Sequence, residues 1–239
     1  MTTRLTYENQ LQELRDLVVA MASMVNKAVA RSMEAMRVQN VALAREVRKG
    51  DKAINQMQRQ GENMAITLIA TQGPMARDLR MIASTMSILS NLERMGDYAT
   101  GIAKIVIETS NEELLKPLVD LPRMSEIARE MLDESITAYI EGDVDLARAV
   151  AIRDDAVDDL YDQIFRELLT YMMEDARVIT RATHLLWAAH NVERIADRVT
   201  NICERVAYTV TGEFEELDGG RKKRQRALRA GSSESGTSG

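Results

Sequence analysis

One twelve-residue motif occurs twice in the sequence, and it carries acidic side chains. The segment NLERMGDYATGI, residues 91–102, returns as NVERIADRVTNI, residues 191–202, with six of twelve positions identical. The retained positions include Asn, Glu, Arg, Asp and Thr, whereas apolar positions exchange Leu for Val and Met for Ile. A helix built only for packing retains its apolar positions instead. The pattern therefore indicates a polar site that is present in both copies.

Each copy of the motif places a glutamate four residues before an aspartate. On a helix these positions lie one turn apart on the same face, with Cβ atoms about 5–6 Å from each other. Two carboxylates at this spacing repel each other by a few tenths of a kcal/mol, so their repetition suggests a positive partner such as a metal cation. The candidate ligands in the motif are Glu93, Asp97, Glu193 and Asp197.

A second set of acidic residues lies upstream of each motif. Asp154 and Asp158 are one helical turn apart, and the equivalent positions in the first copy are Asp51 and Asn55. If the helix that carries them neighbours the motif helix, four carboxylates converge in the second copy and three in the first. Oxygen clusters of this kind bind hard or borderline cations, and helical bundles often build metal sites from facing helices. We expect the second copy to bind a cation more tightly, because affinity rises with the number of ligand charges.

Two other interpretations of the acidic pairs remain open. Arg94 and Arg194 directly follow the glutamates and could neutralise them in surface salt bridges, which would make the pairs purely structural. A di-iron oxygenase would need Glu-x-x-His on two helices, but His190 precedes Glu193, and Ser90 stands in its place in the first copy. His190 is at most a supplementary ligand. No nucleophile with its base and no glycine-rich phosphate loop accompanies the carboxylates.

The composition favours an all-α fold. Aromatic residues are only 4% of the 239 residues, and there are three prolines. The repeat extends beyond the motif, because NVALAREV (40–47) returns as DVDLARAV (143–150) with five of eight positions identical. We predict two tandem three-helix bundles. The predicted boundaries are 1–112 for the first repeat, 113–122 for the linker, 123–213 for the second repeat and 214–239 for a disordered tail.

The third helix of each repeat carries the clearest apolar pattern. Small and aliphatic residues recur at spacings of three and four from Ile82 to Val106 and from Ala182 to Val210. This pattern is typical of a seam with coiled-coil-like packing, so Cys203 on the seam should be buried and unreactive. The predicted helices are 8–49 with a break near Asn40, 51–71 and 75–109, followed by 123–152 with a break at Gly142, 154–173 and 177–211.

Charge and cysteine content exclude several classes of protein. The net charge is −6, but residues 219–239 contribute +5 and the remainder contributes −11. An acidic body argues against nucleic acid as the main partner. The single cysteine excludes an intrachain disulfide and a CxxC zinc site. The N-terminus lacks an apolar signal core and no segment has the length of a membrane span, so we expect a soluble, cytoplasmic protein.

The order of these segments resembles the PhoU family of bacterial phosphate-signalling regulators. The resemblance rests on GPMARDLRMIASTMSILSNLERMGDYATGIAK, then LLTYMMEDARVI, then NVERIADRVTNICERVAYTVTGE, and it covers nearly all of residues 8–213. It implies two three-helix bundles related by a pseudo-two-fold axis. It also implies metal binding, as an iron or zinc cluster or as magnesium or manganese. The implied metal ligands are Asp51, Glu93, Asp97, Asp154, Asp158, Glu193 and Asp197, and Asn55 departs from the acidic pattern.

The resemblance further implies a regulatory adaptor rather than an enzyme. Such an adaptor couples the ATPase subunit of a phosphate ABC transporter to a sensor histidine kinase, and it represses phosphate-starvation signalling and uptake when phosphate is plentiful. It reaches the membrane only through its partners, and a homodimer is among the expected assemblies. Two alternatives remain: a metal-dependent helical enzyme of phosphate metabolism, and a scaffold whose acidic pairs are structural.

Overall fold

A computed structural model describes residues 2–217, with side chains from residue 7 onward, and all regular elements in that range are helical. The first repeat contains three helices, α1 (Thr2–Arg37), α2 (Val41–Gln72) and α3 (Ala76–Glu108). Among the described residues, the prediction of an all-α fold is confirmed. The second repeat contains α4 (Asp120–Glu141), α5 (Val144–Ile152), α6 (Asp154–Glu174) and α7 (Ile179–Thr211), with a 3-10 turn at Ala176–Val178.

Equivalent residues, Asn40 and Asp143, cap the N-termini of α2 and α5. The Oδ1 atom of Asn40 accepts a hydrogen bond from the backbone N–H of Leu43 at 3.0 Å, and Oδ1 of Asp143 accepts one from Leu146 at 2.9 Å. These side chains satisfy N–H groups that the first turn of a helix leaves unpaired. The residue directly before each capping side chain, Gln39 or Gly142, has a left-handed backbone with a positive φ. Glycine adopts this conformation more easily than glutamine.

The first repeat differs from the prediction at Gly50. The sequence predicts a new helix from residue 51, but α2 continues through this glycine without interruption. Glycine within a helix costs roughly 0.5–1 kcal/mol, which is small beside the burial of Val47 and Ile54 on either side of it. In the second repeat the predicted break is present, because α5 ends at Ile152 and α6 begins at Asp154.

The two third helices, α3 and α7, pack against each other in antiparallel directions. The Nδ2 atom of Asn201 donates to Oδ1 of Asn91 at 3.4 Å, and a Cβ atom placed on Gly101 would lie 3.2 Å from Oδ1 of Asn191. These two contacts are equivalent under the pseudo-two-fold relation between the repeats. The seam residues are buried on both helices except at the end, where Val210 is 41% exposed.

The buried face of α7 also carries the only cysteine of the sequence. Cys203 is fully buried, and burial raises the pKa of its thiol to about 12. The burial of Cys203 confirms the prediction from the seam pattern. With this raised pKa, the thiol is protonated at physiological pH. Within residues 2–217, none of the helices combines the length and apolar composition needed to cross a bilayer.

Two predicted boundaries shift because short segments pack more closely than expected. Helix α4 begins at Asp120, and Pro122 is tolerated there because it lies in the first turn. After α7, the ring of Phe214 stacks on Tyr208 at 4.0 Å, and Leu217 is buried. Phe214 and Leu217, which the prediction assigns to the tail, therefore pack against the second repeat. The remainder of the predicted tail, including the basic run after residue 219, lies outside the described residues.

Candidate functional site

Helices α2 and α3 bring the acidic residues of the first repeat together. Asp51 lies on α2, and its Oδ1 atom accepts a hydrogen bond from Oγ1 of Thr100 on α3 at 3.4 Å. Its Oδ2 atom accepts one from Nδ2 of Asn55, one turn further along α2, at 3.1 Å. The contact with Thr100 shows that the helix carrying Asp51 is a direct neighbour of the motif helix, as a shared acidic site needs.

Glu93 and Asp97 on α3 share a negative surface with Asp51. Burial raises the pKa of Glu93, the charge of Asp97 raises it further, and Asp51 adds to the effect. Burial also raises the pKa of Asp97, again with a contribution from Asp51. Arg94 opposes both shifts, but its Nε atom is 3.9 Å from Oε2 of Glu93 and its side chain is 62% exposed. Such a pair contributes little, so the repulsion within this first acidic cluster (Asp51, Glu93 and Asp97) persists.

The second repeat positions its acids on α6 and α7, which are in contact. Asp154 begins α6 and is only 1% exposed, and Asp158 follows one turn later in a half-buried position. Glu193 and Asp197 are half-buried on α7. All four engage in polar or electrostatic interactions with neighbouring residues. They are called the second acidic cluster below.

His190 and Tyr161 border the second acidic cluster. The Nδ1 atom of His190 is 3.4 Å from Oε2 of Glu193, and the imidazole ring lies 6.0 Å from the ring of Tyr161. Burial lowers the pKa of His190, Arg194 lowers it further, and Asp197 opposes the shift. The lowered pKa favours the neutral imidazole, which is the form that binds metals. Burial also raises the pKa of Tyr161, with a contribution from Glu193.

The donor atoms of both clusters suit a hydrated cation better than one enclosed by protein ligands. Among the residues that the structure describes, no three Asp, Glu, His or Cys side chains converge in a geometry ready to hold a single ion. Magnesium does not need such a group, because it keeps several water ligands and binds through one or two carboxylates. The carboxylates beside α3 and α7 are of the ligand type that such an ion takes.

Sequence reasoning missed two neighbours of the first acidic cluster. Thr100 donates to Asp51, and Tyr98 receives the guanidinium of Arg194 over its ring at 5.5 Å. The signal for Thr100 was present, since threonine is one of the six identities in the repeated motif. Tyr98 had no such signal, because the second copy has Arg198 at that position.

Comparison with known proteins gives the same family over both repeats. The family model for the PhoU domain matches residues 18–106 and again residues 121–206. A PhoU homolog from Aquifex aeolicus, described as a phosphate-specific transport system accessory protein, is 45% identical over 205 residues, which are 86% of this chain and 93% of the relative. A protein of the same description from Clostridium acetobutylicum is 39% identical over 217 residues, which are 90% of this chain and 99% of the relative.

Solved structures of the family have the same fold. The crystal structure of PhoU from Pseudomonas aeruginosa superimposes with a TM-score of 0.83 at 36% identity, covering 87% of this chain and 100% of that one. The phosphate transport system regulatory protein PhoU from Streptococcus pneumoniae gives a TM-score of 0.82 at 31% identity, covering 87% and 99%. The chain therefore belongs to the PhoU family.

Proposed function

We propose that this protein is a regulatory accessory protein of phosphate transport. The observation that carries the proposal is the similarity across both repeats to proteins described as phosphate-specific transport system accessory proteins. The helical framework, and motifs without a nucleophile and its base, fit an adaptor better than an enzyme. A metal-dependent enzyme of phosphate metabolism is the second candidate, and only the acidic clusters favour it.

Exposed apolar residues lie near the turn that precedes the third helix of each repeat, and they support a role in binding partners. In the first repeat, Ile66 is 54% exposed and Met75 is 82% exposed, close to the turn between α2 and α3. In the second repeat, Leu169 is 44% exposed and Met173 is 81% exposed, close to the turn before α7. Clustered apolar residues on a soluble surface commonly mark sites of protein interaction, and methionine adapts to varied partners.

The proposed partners are the ATPase subunit of a phosphate ABC transporter and a sensor histidine kinase. In this role the protein represses phosphate-starvation signalling and uptake when phosphate is plentiful. These partners imply a cytoplasmic protein that reaches the membrane only through them. Two similar repeats with separate apolar ends would allow one adaptor to contact two partners, or two copies of one partner.

The acidic clusters are proposed to bind a divalent cation or an iron or zinc cluster. In the first repeat, Asp51, Glu93 and Asp97 would supply the carboxylate ligands, one or two at a time, and water would complete the coordination of the ion. A bound cation would oppose the two effects that raise the pKa of Glu93 and Asp97, which are burial first and the charges of neighbouring carboxylates second. The ligands in the second repeat would be Asp154, Asp158, Glu193 and Asp197.

The partner proposal is tested by affinity capture of the full chain from cells grown with abundant phosphate. We expect the transporter ATPase and a sensor kinase in the captured fraction. The double variant Met75→Asp, Met173→Asp should lose them, whereas Glu34→Gln on an exposed part of α1 should retain them. Recovery of neither partner by the unaltered chain would reject the adaptor role.

A separate assay addresses metal binding and the enzymatic alternative. The variant Glu193→Gln, Asp197→Asn should contain less metal after purification while its helical circular dichroism is unchanged. Both forms are also assayed for phosphatase activity with added magnesium or manganese. Metal-dependent turnover by the parent protein that disappears in the variant would favour the enzyme instead.

A further inference from the structure

The register of the contact between α3 and α7 places two arginines opposite each other. Asn91 on α3 accepts a hydrogen bond from Asn201 on α7 at 3.4 Å, and the two helices are antiparallel. A step of three residues forward along α3 is therefore matched by a step of three residues back along α7. This step leads from Asn91 to Arg94 and from Asn201 to Arg198, so the two arginines face each other.

Two further arginines lie along the same contact in the other direction. A step of four residues on each helix pairs Ser87 on α3 with Arg205 on α7. At the end of α7, a Cβ atom on Gly212 would lie 3.5 Å from Cζ of Arg80. The arginine stripe, as we call this surface, consists of Arg80, Asn91 and Arg94 on α3 and of Arg198, Asn201 and Arg205 on α7. It contains four arginines and no acidic residue, although the net charge of the chain is −6.

Three arginines of the stripe have an Nε–H group without a protein partner. The Nε atoms of Arg80, Arg198 and Arg205 are buried and have no hydrogen-bond partner among the residues that the structure describes. Arg205 lies over the ring of Phe214 at 5.3 Å, a contact that uses none of its N–H groups. A guanidinium group is always charged and has only donors, so leaving its buried N–H without an acceptor is costly. A negatively charged oxygen is the acceptor that binds it most strongly.

The acidic clusters beside the stripe do not supply that oxygen to Arg198. Arg94 lowers the pKa of Glu93 and of Asp97, but its Nε atom is 3.9 Å from Oε2 of Glu93. Arg198 is half-buried and forms no ion pair within the described residues. The side chain of Arg94 is 62% exposed, so a ligand can reach this level of the stripe from solvent.

We infer that the arginine stripe binds phosphate oxyanions, with Arg94 and Arg198 as the central ligands. Guanidinium groups bind phosphate through paired N–H donors, and the carboxamides of Asn91 and Asn201 add neutral donors at the same level. Arg205 lies two helical turns from Arg198, about 10.5 Å along the axis, so a chain of linked phosphates would reach it as well. The acidic clusters and the exposed apolar residues take no part, so the inference goes beyond the proposed function and does not depend on it.

Calorimetric titration of the full chain with sodium phosphate tests the inference. The titration is made at constant ionic strength in a chelator, so that phosphate held by a metal in the acidic clusters does not contribute. We expect saturable binding, and none of sodium chloride. Arg198→Gln should weaken phosphate binding at least about tenfold. Arg123→Gln, which removes the same charge from an exposed position of α4, should leave it within about twofold.

A second variant keeps the test decisive if Arg198→Gln is poorly folded by circular dichroism. Arg94→Gln changes an exposed side chain and should weaken binding about twofold to fivefold. Sodium tripolyphosphate distinguishes the two sources of the oxyanion. If Arg205→Gln weakens tripolyphosphate binding more than phosphate binding, the ligand is a phosphate chain along the stripe, and an equal effect on both identifies a single phosphate ion.

Three outcomes would overturn the inference. The first is no binding of either phosphate compound in the chelator up to about 10 mM. The second is equal binding by the parent protein and by folded Arg198→Gln and Arg94→Gln. The third is binding that is lost in the variant Glu193→Gln, Asp197→Asn but retained in Arg198→Gln, because phosphate would then depend on the second acidic cluster.

Discussion

The guanidinium group of Arg194 on α7 lies 5.5 Å from the centre of the Tyr98 ring on α3. Arg194 directly follows Glu193, and Tyr98 directly follows Asp97, so this cation–π contact joins the two acidic clusters across the interface between the repeats. The pseudo-two-fold relation would pair Arg94 with Arg198, two cations that cannot form such a contact. The contact between Arg194 and Tyr98 therefore links the two clusters once, and the pseudo-two-fold relation between α3 and α7 does not repeat it.

Neutralising Asp97 should stabilise the folded protein at neutral pH. Burial and the charge of Asp51 raise the pKa of Asp97 above its ordinary value of 3.8, so ionisation is less favourable in the folded state. The stabilising effect of the protonated group is complete below pH 3.8 and is lost as the pH rises through the raised pKa. Asp97→Asn should increase Tm at pH 7 by about 1 °C, since the repulsion amounts to a few tenths of a kcal/mol.

The matched control is Glu34→Gln, measured by the same thermal unfolding at pH 4 and pH 7. The pKa of Glu34 is lowered by its hydrogen bond with Arg37, so its stabilising effect is present at pH 7 and lost as the pH falls. Its removal should not raise Tm. A loss of stability in Asp97→Asn at pH 7 would show that the carboxylate holds the fold instead of straining it.

Replacing Asn55 with aspartate should strengthen cation binding in the first repeat and destabilise the protein without a cation. The change removes the hydrogen bond donated to Oδ2 of Asp51 at 3.1 Å and places a fourth carboxylate beside the cluster. Each added ligand charge favours the cation. We expect a lower Tm in a chelator and a larger rise on adding manganese than for the parent.

Asn63→Asp provides the comparison, because it adds the same charge to an exposed position of α2 outside the cluster. Titration of the second repeat is followed separately by the fluorescence of Trp187, the single tryptophan, three residues before His190. Asp158→Asn should weaken the tighter step. Two equal binding steps, unchanged by Asn55→Asp and by Asp158→Asn, would contradict the expected difference between the repeats.

Asn26 should contribute strongly to stability at the contact between α1 and α4. It is 8% exposed, its Nδ2 atom donates to Oδ1 of Asp133 at 2.7 Å, and its Oδ1 atom accepts from Nε of Arg129 at 2.7 Å. Asn26→Ala leaves both charged partners without these bonds, at a cost of about 2–3 kcal/mol. This corresponds to a decrease in Tm of roughly 4–12 °C. Gln12→Ala, which removes an exposed bond to Asp16, should change Tm little; a similar loss in both variants would refute the assignment.

Two glycines in the same helix should respond to alanine with opposite signs. A Cβ atom on Gly50 would meet nothing within 4 Å, so Gly50→Ala should stabilise α2 by about 0.5–1 kcal/mol. A Cβ atom on Gly61 would lie 2.4 Å from Cδ1 of Leu89 and 3.0 Å from Cδ2 of Leu17. Because both leucines are in a packed core, Gly61→Ala should cost about 1–3 kcal/mol. Urea unfolding of the two variants measures both values, and stabilisation by both would show that the core at Gly61 relaxes freely.

Apolar periodicity and internal repetition predict the helical framework well, because the apolar seam pattern on the third helix of each repeat is almost uninterrupted. The polar identities also indicate which residues lie beside that seam. The helix break predicted at Gly50 is wrong. The low helix propensity of glycine destabilises α2 less than the packing of Val47 and Ile54 stabilises it. The side-chain distances within the acidic clusters depend on rotamers and on neighbours such as Thr100, which one-dimensional spacing does not specify.

The antiparallel contact between α3 and α7 has the symmetry of an isologous homodimer. Asn91 meets Asn201, and the equivalent pair of positions, Asn191 and Gly101, meets in return. A single ancestral repeat could bury the same face against a copy of itself, and duplication with fusion would make that association intramolecular. Once joined, each half was released from the requirement to be self-complementary. The difference between Asn55 and Asp158, which occupy equivalent positions of the two repeats, is the kind of divergence that such a release allows.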